Sequence, residues 1–196
     1  MEFRRIQLKT VPNAIKQMAE QFGGEDALLK AAINASFFLA PDRVLAAPFY
    51  PNYVRQSREL YPGKQRGDKV KVAGRILTLD FNHRAQATWE KVSGGFFQRG
   101  SGYGVRHIWG HASDLMAYTA TWNLCYMPFW AGMLTEDQHP FKRLAIVIQQ
   151  ISFDLFFRNG PITSRDTPSF VVDRGLDLAT ELPPGTVCNL VPVDAS

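Results

Sequence analysis

At 196 residues, with 45% apolar and 12% aromatic side chains, the chain carries enough hydrophobic material for one domain with a real core. That excludes a disordered or low-complexity protein, and the lack of any apolar run near eighteen residues gives no reason to expect a membrane partner. The formal charge of +4 is uneven: thirteen Lys and Arg face seven Asp and Glu up to residue 75, and nine face eleven after it, so the N-terminal third suits a polyanion.

The opening MEFRRIQLKT is charged without an apolar core, so no secretory signal is expected. Cys125 and Cys188 have neither pairing motif nor zinc spacing, which fits a reducing, cytoplasmic setting. Residues 12–39 read as helix. Ile15, Met18, Ala19 and Phe22 recur at helical spacing after the cap candidate Asn13, Gly23–Gly24 interrupt, and Leu28, Leu29, Ala32, Ala35 and Phe38 resume the pattern. The stretch 47–67 mixes prolines, tyrosines and basic residues and reads as a loop holding a short helix around 53–60. Aromatic rings beside basic groups suit base stacking and phosphate contact, and they equally suit a loop that packs its tyrosines inward.

From Asp68 the period switches to two. Val70 and Val72, then Leu77 and Leu79, flank a turn at Ala73–Gly74 and predict a β-hairpin. NHRAQATWEKVSG reads as a helix capped by Asn82, with His83 as a surface residue at its start. A glycine-rich approach over residues 94–104 has no Gly-Lys-Ser/Thr, so it is not a phosphate-cradling loop. A long helix is expected over 141–158, its buried stripe formed by Phe141, Leu144, Ala145, Ile148, Ser152 and Leu155 and widened by Ile151 and Phe156, with Asn159–Gly160–Pro161 as its stop. The tail reads as loop, short strand, turn and final strand.

The chemistry-bearing residues concentrate between 103 and 139. His107 and His111 stand at i, i+4, as in helical zinc sites, but Ile-Trp-Gly lies between them, without the general-base Glu, and GSGYGV before them favours a strand. A second pattern fits better: a strand GYGVRHI ending at His107, a loop, a second strand TWNLCYMP, and a helix starting near Phe129. With LDFNHRA upstream and AGMLTED downstream, this ordered series over roughly residues 74–158 resembles the HNH-type nucleases, the ββα-metal or His-Me finger family. The resemblance implies a DNA-cleaving endonuclease assisted by a divalent cation such as Mg²⁺, which offsets phosphate charge and generates a nucleophile at neutral pH. It assigns His107 as general base and Asn123 as the residue that fixes its ring through backbone or side chain.

The chain departs from that family at both usual metal-ligand positions. Arg106 stands at the first, and Ala131 or Gly132 falls at the third. His111, Asp114, Glu136, Asp137 and His139 are the substitutes within local reach, and Arg106 becomes a phosphate contact or a partner for Asp114 or Glu136. Lys64, Arg66, Lys69 and Lys71 are the candidate grip on a double-stranded DNA backbone. Structural roles compete with each of these: a hydrogen-bonded core histidine at 107, a cap at Asp114, and core packing for Trp109, Trp122 and Trp130.

Two other functions use the same residues: a non-catalytic nucleic-acid- or protein-binding module, and a metal-independent RNase built from His107, His111 and an arginine. The motif RHIxxxH has a passing likeness to some contact-dependent toxins. A second copy of the chain or another protein is a further candidate partner. The expected fold is α+β: N-terminal helices and basic region (1–67), a ββα-metal-like finger with its supporting hairpin and helices (68–160), and a C-terminal closing segment (161–196), packed as one domain with a long C-terminal core helix.

Overall fold

A computed structural model describes residues 13–136, 141–175 and 181–192. The α+β expectation holds: the described residues form six helices and two small mixed sheets, with a main core and a smaller separate cluster of Val54, Leu77 and Leu79 in the second sheet. Among the described residues no helix is long and apolar enough to cross a membrane.

Helix α1, Ala14–Phe22, begins where the Asn13 side chain accepts from the backbone N–H groups of Ile15 and Lys16. It ends at Gly23, whose φ of 93° places it in the left-handed region that glycine tolerates without penalty. Helix α2, Glu25–Asn34, buries Leu28, Leu29, Ala32 and Ile33. The helical pattern does not continue to residue 39. Ser36 folds its hydroxyl back onto the Ala32 carbonyl, and Phe37–Leu39 forms strand β1. Pairing with neighbours on both edges outweighs the local helical periodicity there.

Strand β2, Tyr53–Arg55, replaces the short helix expected at that position. It pairs in parallel with β4, Arg75–Asp80, which is antiparallel to β3, Lys69–Val72, so the second sheet runs β2-β4-β3. The hairpin turn is as anticipated, with Ala73 and Gly74 both at positive φ (46° and 79°), the geometry that matches strand twist. Helix α3, His83–Val92, follows Asn82, but the Asn82 side chain does not cap it. The Asp80 carboxylate accepts from the Arg84 N–H instead.

The main sheet runs β5-β6-β1-β7, with β5 at Tyr103–His107, β6 at Leu124–Pro128 and β7 at Asn189–Val191. β5 and β6 are antiparallel, pairing Tyr103 with Pro128 and His107 with Leu124. Helix α4, Phe129–Met133, leaves β6 directly and packs on β5. Gly104 and Gly132 mark that packing: a side chain at 104 would strike the Phe129 ring, and one at 132 the Arg106 guanidinium. All three segments read from the sequence contribute to this sheet, because β1 lies between β6 and β7.

Helix α5, Lys142–Phe153, buries Leu144, Ile148, Ile151 and Ser152 as expected, together with Val147 and Gln149, while Ala145 stays partly open. Its end loosens into a π-type turn over Asp154–Arg158 and stops at Gly160, where a side chain would collide with the Leu155 and Phe156 backbone. Helix α6, Ser169–Gly175, occupies part of the tail read as loop and short strand. It packs on α5, and its Val171 is fully buried. Trp109 and Trp122 are core residues, and both cysteines are free thiols.

Candidate functional site

His107 is the last residue of β5, where the strand opens onto a cleft of about 1190 Å³. Its Nε2 lies 2.9 Å from the Tyr118 carbonyl. A carbonyl can only accept, so Nε2 carries the proton, and in the neutral ring Nδ1 is left as the acceptor. Nδ1 makes no hydrogen bond to a described residue. Burial pushes the imidazole down, the Tyr118 bond works against that, and the Arg55 and Arg106 charges lower it further, to about 4. The ring is neutral at neutral pH.

Tyr118 is itself anchored. Its hydroxyl donates to Asp80 Oδ2 at 2.5 Å, and its ring stacks with His107 at a centroid distance of 5.8 Å. Burial raises the Tyr118 phenol and Asp80 adds to the effect, so it stays a donor. Burial alone raises the Asp80 carboxyl. The Tyr118 and Arg84 hydrogen bonds outweigh that and, with His83 and Arg66 nearby, hold it below its ordinary value. Asp80 therefore holds Tyr118, and Tyr118 holds the imidazole. Neither Asp80 nor Tyr118 stands out along the chain, because their contact spans 38 residues.

Asn123 is fully buried and makes no hydrogen bond to the His107 ring. Its Oδ1 accepts from the Trp109 N–H at 2.7 Å, and its Nδ2 donates to the Gly110 and Ala117 carbonyls at 3.0 Å each. Its backbone carbonyl accepts from the Ile108 N–H. These four bonds clamp the loop that presents the Tyr118 carbonyl to the His107 ring. Asp114 acts as a local cap, accepting from the Met116 and Ala117 N–H groups at 2.7 and 3.2 Å. His111, at φ 48°, stacks on Phe170 with centroids 3.9 Å apart and lines the cleft. Asp137 and His139 lie outside the described residues.

Four cationic side chains line the cleft: Arg55 from β2, Arg106 from β5, Lys142 from α5 and Arg174 from α6. Glu59 and Glu136 are the lining carboxylates. Arg106 Nη1 is 3.3 Å from Glu136 Oε1, both partly exposed, and Arg174 donates to Gln149 Oε1 at 3.3 Å. Gln149 is buried and donates from Nε2 to the Ile108 carbonyl, tying Arg174 to the strand exit beside His107. Asn82 lines the same cleft. Its Nδ2 donates to the Val105 carbonyl, and its Oδ1 is a buried acceptor without a partner among the described residues. Lys64, Arg66, Lys69 and Lys71 are not among the lining residues. Arg66 pairs with Asp80 at 3.4 Å, and Lys69 donates to Thr78 within the hairpin.

Comparison of the chain with protein-family models, with curated proteins and with solved structures gives no match.

The divalent cation implied by the HNH resemblance needs ligands around His107. Arg106 at the first ligand position lays its guanidinium across Gly132, at the third, so a cationic group fills the space between them. Glu136 is turned toward that guanidinium, Asp114 is committed to its cap and His111 to Phe170. Among the described residues no three His, Cys, Asp or Glu side chains converge as a metal-binding group. The described residues do not fit a metal at this position.

Proposed function

We propose that the protein is a nuclease related to the HNH type, cleaving nucleic-acid phosphodiester bonds with His107 as general base. The observation that carries this reading is the neutral imidazole at the wall of the cationic cleft, with Nε2 committed to a carbonyl and Nδ1 left to accept a proton. A base kept deprotonated is ready at neutral pH, and Arg55, Arg106, Lys142 and Arg174 complement the phosphate charge. Asp80, Tyr118 and Asn123 are positioning residues: they hold the ring and its loop without reaching the reacting atoms. The long Asp80–Tyr118–His107 connection supports a ring built to stay in one orientation.

The test is incubation of purified protein with plasmid DNA and with a structured RNA, each in Mg²⁺, in Mn²⁺ and in excess EDTA, beside His107→Ala. Cleavage of one substrate by the wild type is expected, and the variant should lose roughly 10²–10⁴-fold of the rate. No cleavage in any mixture, or equal cleavage by the variant, overturns the reading. The cleft would then be a binding groove, as in the non-catalytic alternative.

A further inference from the structure

Hydrolysis at phosphorus needs a cation beside the non-bridging oxygens and a nucleophile whose proton can be taken. The cleft meets the first need from its own side chains. Arg106 Nε and Cζ are seated over Gly132, where a side chain would push the guanidinium aside, and the guanidinium keeps donors that Glu136 does not engage. His107 is the next residue in the chain. Successive side chains of a strand normally point to opposite faces, but β5 ends at His107, and both residues line the one cleft. A planar, permanently charged fork beside a neutral imidazole is a complete pair for phosphate neutralisation and proton removal.

We propose that the Arg106 guanidinium is the resident cation of this cleft and that the cleft cleaves RNA, without a metal ion, by attack of the ribose 2′-hydroxyl. This rests on the nuclease reading above and names its substrate class. The physical argument concerns the nucleophile. A metal-bound water becomes nucleophilic because the metal acidifies it, and the described residues do not fit a metal. A 2′-hydroxyl needs no such help: it is tethered beside the phosphorus, and well-oriented intramolecular attack reaches effective molarities of about 10⁵–10⁸ M. DNA lacks that hydroxyl.

The step balances. His107 Nδ1 takes the 2′-hydroxyl proton, the 2′-oxygen forms a bond to phosphorus, and the phosphorus–O5′ bond breaks. The O5′ leaving group takes a proton from water, and the imidazolium returns its own proton to solvent. The products are a 2′,3′-cyclic phosphate and a 5′-hydroxyl. Arg106 stabilises the charge on the non-bridging oxygens during the exchange, and Glu136 is the competitor that phosphate displaces.

The experiment incubates full-length protein with an RNA oligonucleotide and its all-deoxy counterpart, with excess EDTA or with Mg²⁺, and determines the product ends by mass. Cleavage of RNA alone, undiminished by EDTA and leaving cyclic phosphate, is expected. Arg106→Ala should lower the rate roughly 10²-fold or more, and Arg106→Lys should retain part of it because a point charge replaces the fork. Thermal unfolding of each variant reports whether it folds. Glu136→Gln, which disturbs only an exposed pair, should raise the rate by freeing the guanidinium; an unchanged or lower rate counts against the proposal. Cleavage that EDTA abolishes, or that acts on the deoxy strand, overturns this inference and leaves the nuclease reading standing. No His107-dependent cleavage under either condition overturns both.

Discussion

His107 is an imidazole whose charge state is set by its surroundings more than by its own chemistry. Packed against Tyr118 and facing Arg55 and Arg106, it is held neutral down to about pH 4, against an ordinary value of 6.5. In the unfolded chain the same imidazole takes up a proton as pH falls through 6.5. The unfolded state then binds more protons than the native one, so stability present above 6.5 is lost as pH drops toward 4. Between neutrality and about pH 4.5 the wild type should lose about 2 kcal/mol more than His107→Gln, which titrates nothing. Urea unfolding of both proteins at the two pH values measures the difference. An equal loss would mean that the imidazole charges freely in the native state.

The decisive element is the connection from β5 to β6. Chain between Ile108 and Asn123 carries no long regular structure, yet it must hold the Tyr118 carbonyl at a fixed place against the imidazole. Asn123 does this by satisfying the Trp109 N–H and the Gly110 and Ala117 carbonyls from one buried side chain. Asn123→Ala leaves those groups without partners, at about 1–3 kcal/mol for each buried orphan. The variant should lose roughly 3 kcal/mol or more in urea unfolding, and Asn123→Asp should fail to rescue it, since a carboxylate faces two carbonyls it cannot donate to. A loss under about 1 kcal/mol would refute the clamp. Asn123 and His107 are linked through the loop and not directly.

Across the whole molecule, the cleft is an assembly of distant pieces. Arg55 comes from the small sheet, Lys142 and Arg174 from α5 and α6, and Arg106 from the main sheet. If this is where a nucleic-acid backbone lies, binding should weaken with salt, and each removed cation should lower the log–log slope by about one. Arg55→Gln with Arg174→Gln should therefore reduce it by about two. A control replacing Lys64, Lys69 and Lys71 by Gln should leave the slope unchanged, because none of them lines the cleft. Fluorescence anisotropy over a salt series measures both, and the opposite result would move the grip to the hairpin sheet.

Local order determined the α+β class, the 69–80 hairpin with its Ala73–Gly74 turn, and the succession of strand, loop, strand and helix after Gly102. Those features follow from hydrophobic period and turn chemistry, which act over a few residues. The same local logic extended a helix through Phe37–Leu39 and missed α6, since partners more than 80 residues away decide both β1 pairings. Tertiary structure alone decided the site. It stacked His111 on Phe170 and laid the Arg106 guanidinium across Gly132. It also joined Asp80 to Tyr118 and brought Arg55 and Arg174 to one cleft. Side-chain direction and long-range closure set those contacts, and neither is written in the spacing of residues along the chain.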